Sequence, residues 1–143
     1  MKTKLPKIKK VKIGALKKKI QTEFNHLIAS GKPCAKCHQT FPVMQCSHIK
    51  SIGACDNLRY DPMNVLPMCG HCHNFWWHLE PSESWTWFEQ TFPGRNEYIL
   101  VAKNKHVGWT EEKLLEVREK IKNKDLKGLL IAPELLTLDN AVL

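Results

Sequence analysis

Two Cys-x-x-Cys pairs, Cys34/Cys37 and Cys69/Cys72, are separated by 31 residues, and no other feature constrains the chain as tightly. A two-residue gap lets both thiolates of a knuckle point at one ion about 2.3 Å away, and two knuckles complete a tetrahedron. Four thiolates fill the coordination sphere, so the pattern predicts a structural Zn²⁺ with no open position for water. A redox role fits poorly, because neither pair sits in a strand-to-helix, thioredoxin-like setting. The interval exceeds the usual zinc-ribbon separation, so it must hold more than a hairpin. Cys46 and Cys55 fall outside the pattern and read as small buried apolar residues.

Charge divides the chain unevenly. Met1 to Lys19 holds nine lysines and no acid, while the other 13 Lys and Arg nearly balance all 14 Asp and Glu. The formal surplus of +8 therefore belongs to the N-terminus. Such a block is either a solvated tail or a nucleic-acid-binding arm. No run approaches the ~20 apolar residues of a membrane span, and "KIKKVKIGALKKKI" lacks the apolar core of a secretory signal. The chain reads as soluble, with no membrane partner, and its six cysteines suit metal binding in a reducing cytosol.

With 143 residues the chain fits a single domain at 14–143 behind a flexible basic arm at 1–13. From Ala15 to Ser30 the positions Leu16, Ile20, Phe24, Leu27 and Ile28 recur at helical spacing. Gly31 and Pro33 end this helix, and Lys17, Lys18 and Lys19 give it either a solvated face or a phosphate-facing ridge. Val43–Ile49 reads as a strand, "SIGACDNLRYDP" as a long loop and "NVLPM" as a second strand, with a helix beginning near Gly70. "PSESWTWFEQTFPG" predicts a helix that buries Trp85, Phe88 and Phe92. "NEYILVAKN" and "TEEKLLEVREKIKN" add further helices, the latter capped by Thr110. The apolar "LLIAPELLTL" is a candidate to pack on the body or on a second subunit in a homodimer.

Inside the cysteine frame, His48 lies on the first strand, Asn64 precedes the second, and His73 follows the last cysteine. The series "H48…N64-V-L-P-M-C-x-x-C-H73" resembles the HNH endonucleases, whose ββα-metal core runs strand, loop, strand, helix. "LKKKIQTEFNHLIASGKPCAKC" and "SHIKSIGACDNLRYDPMNVLPMC" are further similar to phage recombination endonucleases of the NinG/Rap type. The resemblance covers roughly residues 14–100 and leaves the last forty without a signature.

This resemblance implies an α+β fold: a small ββα-metal (HNH, or His-Me finger) core with a four-cysteine zinc site. The zinc and HNH core would span 34–80, flanked by a basic N-terminal helix and by a helical extension at 81–143. It implies a metal-dependent DNA endonuclease that hydrolyses phosphodiester bonds, a recombination nuclease acting on branched DNA such as a Holliday junction. Phage or prophage origin and a bacterial cytoplasm follow from the same likeness. His48 would be the base, as suits a neutral imidazole near physiological pH. Asn64 would hold the His48 ring or place an amide oxygen on the catalytic ion. His73 would coordinate that Mg²⁺ or Mn²⁺. Arg59 and Lys50, with Lys17, Lys18 and Lys19, would meet DNA phosphates.

One position departs from the pattern. Many HNH enzymes place Asp, Glu or His before the catalytic histidine, where this chain has Ser47, a weak ligand. His78 is a poor substitute on an α-helix, because five residues turn it some 140° from His73. The alternative function is a zinc-stabilised DNA-binding module with a degenerate, non-cleaving site. His26, His38, His71 and His106 read as surface residues, and Trp76 and Trp77 as packing groups.

Overall fold

The computed structural model describes residues 12–136. The basic arm at 1–13 therefore lies almost wholly outside the described residues, as do 137–143. The order of the main elements is α1 (Ile13–Ala29), β1 (Met44–His48), β2 (Val65–Cys69), a π-helix (Cys72–Trp77), α2 (Pro81–Thr91), α3 (Arg95–Ala102) and α4 (Glu111–Lys122). The chain is thus a small α+β protein.

The two strands pair antiparallel, with Met44 opposite Cys69 and His48 opposite Val65. β2 does not alternate between apolar and polar residues, because both of its faces are covered. Val65 enters a cluster with Ile20 and Phe24 of α1 and Leu114 and Ile121 of α4. Leu66 and Met68 enter a second cluster with Phe88, Tyr98 and Ile99 from α2 and α3. The hairpin is therefore the layer between two helical packs. Gly31, at φ +68°, ends α1 in a conformation that favours glycine. Thr110 Oγ1 accepts from Lys113 N at 3.2 Å and caps α4 as expected.

The 49–64 loop is stitched from several sides. Tyr60 packs edge-on against Phe24 and Trp109, with centroids 5.9 and 5.1 Å away, and its hydroxyl donates to Lys17 O at 2.8 Å. The carboxylate of Asp61, fully buried, accepts from Tyr98 Oη at 2.6 Å and from Ile131 N at 3.1 Å on one oxygen. Its other oxygen accepts from Met63 N at 2.9 Å. Tyr98 Oη in turn accepts from Ala132 N at 3.1 Å. Burial raises the Asp61 pKa above the usual carboxylate value, while these donors oppose the rise.

Of the two placements expected for "LLIAPELLTL", Leu129, Leu130 and Ala132 take the first and are buried in the chain's own core. One expectation changes. Cys46 and Cys55 are only partly buried.

We expect Tyr98→Phe to lower stability by about 2 kcal/mol, because it leaves a buried carboxylate oxygen and a buried amide each short of a partner. Urea unfolding midpoints of the two proteins measure this. An unchanged midpoint would show that the network carries no weight.

Candidate functional site

Cys34 and Cys37 lie on a tight knuckle after α1, and Cys69 and Cys72 where β2 gives way to the helix. Their four Sγ atoms all lie within 4.8 Å of one another, and those of Cys37 and Cys69 are 3.9 Å apart. Thiolates 2.3 Å from a tetrahedral ion stand about 3.8 Å apart, so this cluster fits a single metal ion and is compatible with zinc. Burial opposes ionisation of Cys34, but the amides of Cys37, Cys69 and Lys36 prevail and draw its pKa down to about 7. Burial and the neighbouring sulfurs push Cys72 up instead. Four thiols without a counter-charge cannot all ionise, and a dication removes that conflict. Two further contacts tie the knuckle down. Ala35 N donates to Pro67 O of β2 at 2.8 Å, and the Lys36 ammonium sits 4.4 Å over the Trp76 ring.

The helix after Cys69 is the largest departure from expectation. It is a π-helix over Cys72–Trp77, whose i→i+5 bonding stacks residues five apart. The physical reason is visible in what must face inward. Cys72 completes the sulfur cluster and Trp77 enters the core, and both are buried although five positions separate them. An α-helix would turn one of them roughly 140° away from the other. Trp77 is held edge-on by Trp87 and Phe88 of α2, at 6.5 and 6.1 Å. Ser84 Oγ donates to the Trp77 carbonyl at 3.2 Å.

The same offset corrects the placement of His78. His73 and His78 share one face, with Nε2 atoms 3.0 Å apart. Gln45 of β1 fixes the orientation, its Oε1 lying 2.6 Å from His73 Nδ1. An amide oxygen only accepts, so His73 carries its proton on Nδ1 and turns the Nε2 lone pair toward His78. Two nitrogens about 2.1 Å from one ion at a right angle would stand about 3.0 Å apart. The 3.0 Å spacing is that of a hydrogen bond from His78 Nε2–H to this lone pair, and equally that of two nitrogens on one cation. Burial lowers the His73 pKa, with smaller contributions from His78 and His48, which favours the neutral ring.

His48 ends β1 with its Nε2 3.2 Å from the Arg59 carbonyl. A carbonyl cannot donate, so Nε2 is protonated and Nδ1 keeps the basic lone pair. Gln21 of α1 donates to the same carbonyl at 3.2 Å and helps hold it in place. Burial moves the His48 pKa below its ordinary value against the bond to the Arg59 carbonyl, which raises it, while the Arg59 charge adds a smaller lowering. Ser47, the residue before it, is buried with an Oγ that has no hydrogen-bond partner.

The remaining expected residues sit differently. Asn64 is fully buried; its Oδ1 accepts from Lys50 N at 2.8 Å, and its Nδ2 donates to Lys50 O at 2.9 Å and Leu58 O at 3.3 Å. Both ends of the amide clip the loop, and Asn64 makes no hydrogen bond to the His48 ring. Arg59 and Lys17 are also committed: Asp56 holds both, each at 2.7 Å. Together the two cations depress the Asp56 pKa despite its partial burial. Lys50 is half-buried, with its ammonium 5.5 Å from the Trp85 ring. Lys18 and Lys19 are exposed and remain available to a polyanion. Gln45 and Gln21 carried no sequence signal, whereas Asp56 stands three residues before Arg59, the spacing of a local ion pair. His78 did carry one, since Cys72/Trp77 and His73/His78 repeat the same five-residue step.

We expect the cluster to carry one metal ion per chain. Cys37→Ser, at an exposed cysteine, should weaken metal binding beyond the roughly 10- to 100-fold that changes outside the ligand shell cost. Cys55→Ser should leave it unchanged. Competition with a chelating dye reads both, and equal affinity in the two variants would remove Cys37 from the cluster.

No family model, no curated protein and no solved structure matches the chain, so the functional reading rests on this geometry.

Proposed function

We propose that the protein is a metal-dependent DNA endonuclease of the HNH type, with Zn²⁺ in the cysteine cluster as a structural ion. The observation that carries the reading is the His73–His78 imidazole pair, oriented by Gln45. The resemblance of His48, Asn64 and His73 to the HNH series agrees with it, as does the basic N-terminal segment.

Hydrolysing a phosphodiester requires a base for water and compensation for the charge that develops on the phosphoryl oxygens. His48 Nδ1 takes the proton from water, and the Arg59 carbonyl steadies the imidazolium that forms through its bond to Nε2–H. His73 and His78 hold the catalytic Mg²⁺ or Mn²⁺, which supplies Lewis-acid stabilisation when bound. Two imidazoles favour Mn²⁺ over Mg²⁺, which prefers oxygen. Asn64 acts at one remove, since its clip fixes the backbone at Lys50, beside His48. Exposed Lys18 and Lys19 attract the phosphate backbone, which makes binding sensitive to salt.

A second reading, a zinc-stabilised DNA-binding module that does not cut, draws support from two observations. Asn64 is fully buried with its amide bonded to the loop backbone, and Ser47 offers only a hydroxyl. Plasmid nicking separates the readings. With Mn²⁺, we expect His48→Ala to lower the rate about 10²-fold or more, and His78→Ala to raise the Mn²⁺ concentration needed for half-maximal nicking. Nicking that is unaltered in both variants, or absent from the wild type with every metal, would overturn the nuclease reading.

The acid limb of the rate profile gives an independent check. Burial lowers the His48 pKa, so the acid limb, where the base is lost to protonation, should be centred below the ordinary imidazole value of about 6.5. A limb centred above 6.5 at saturating Mn²⁺ would assign the titration to another group.

A further inference from the structure

The loop between the two strands carries an ion cluster whose charges do not balance. One oxygen of Asp56 accepts from Lys17 Nζ at 2.7 Å. The other takes both Nε and Nη2 of Arg59, at 2.8 and 2.7 Å. A single carboxylate thus answers two cations, whereas Glu23 with Arg118 and Glu134 with Lys105 are one-to-one pairs. The fit is also incomplete, because a guanidinium fork bonds best to two oxygens and here one oxygen serves both of its nitrogens. Exposure is graded outward: the Asp56 side chain is 46% exposed, and those of Lys17 and Arg59 only 20% and 12%. Among the described residues the Asp56 carboxylate bonds nothing else, so it can leave without breaking a core contact. Its backbone stays fixed by Trp109, whose Nε1 donates to Asp56 O at 3.1 Å. Arg59 meets His48 as well, through the carbonyl 3.2 Å from His48 Nε2. The ion cluster and the base are therefore built on one residue.

We propose that Asp56 is an autoinhibitory stand-in for a DNA phosphate: Lys17 and Arg59 form a phosphate clamp, and an incoming phosphodiester displaces the Asp56 carboxylate from it. The inference rests on DNA binding, which both readings above share. A phosphodiester brings the same single charge as the carboxylate. Its tetrahedral oxygens let the fork and the ammonium approach from different sides, as a planar carboxylate does not, and its neighbours along the strand answer the second cation. Lys18 and Lys19 follow Lys17 on α1 and are exposed, so the charge that draws a strand lies on the helix that carries the clamp. Parting Asp56 from two cations costs free energy at every encounter. The carboxylate thereby holds DNA affinity below what the cations alone would give.

Fluorescence anisotropy with a labelled duplex, at low salt and without added Mg²⁺ or Mn²⁺, tests this. Asp56→Asn should bind roughly 3- to 10-fold tighter than wild type. Glu112→Gln, which removes the same charge at an exposed position in the first turn of α4, should not reproduce the gain. Lys17→Gln should cost more affinity in the Asp56→Asn background than in the wild type, because only there is its contact with phosphate uncontested. Should Asp56→Asn lose its cooperative melt, carbon-13 NMR of the wild type reads the same event: the Asp56 carboxylate resonance should move when duplex is added. Four results would each overturn the proposal and leave DNA binding intact: a folded Asp56→Asn that binds no tighter than wild type, an equal gain in Glu112→Gln, equal costs of Lys17→Gln in the two backgrounds, or an Asp56 carboxylate unmoved by DNA. Failure of the wild type to bind duplex at low salt would remove both readings along with it.

Discussion

Four sulfur atoms within 4.8 Å of one another join segments that the chain separates by more than thirty residues, and the rest of the structure is arranged around that junction. The first knuckle is tied to β2 through Ala35 and to the π-helix through Lys36 over Trp76. The second knuckle is itself the joint between β2 and that helix. A two-stranded hairpin is marginal in isolation. A cysteine cluster able to hold a metal ion at the joint, with helical packs on both faces, makes this one a fixed platform.

The winding of the π-helix follows from the same constraint. Cys72 must reach the cluster and Trp77 must reach the core, and only an i→i+5 turn satisfies both. His73 and His78 are the outward counterparts of those two residues. Their approach to 3.0 Å is thus a by-product of the demand on the inner face. Gln45 then selects the tautomer that leaves a lone pair facing outward, as outer-shell partners of metal-bound histidines generally do.

Much of the architecture was legible in the sequence. Helical spacing located α1 and its buried Ile20 and Phe24, Thr110 marked the start of α4, and the cysteine spacing foretold the sulfur cluster. Several failures share one cause, which is that polar side chains take partners from distant segments. Lys17 looked like a free phosphate contact, but Asp56, far along the chain, holds it; the same carboxylate holds Arg59 from only three residues away, a local signal. Asn64 stood in the right order for a site residue, but the backbone of a loop fourteen residues away absorbs its amide. His78 was misplaced because helical periodicity assumes 3.6 residues per turn, and tertiary packing imposed another winding.

The central proposal is that this winding turns His73 and His78 into a seat for a divalent ion. Anomalous diffraction from crystals soaked in Mn²⁺ addresses it directly. The account predicts one manganese peak coordinated by Nε2 of both histidines, well separated from the ion among the sulfurs. Diverging imidazoles, or manganese bound only elsewhere, would contradict it.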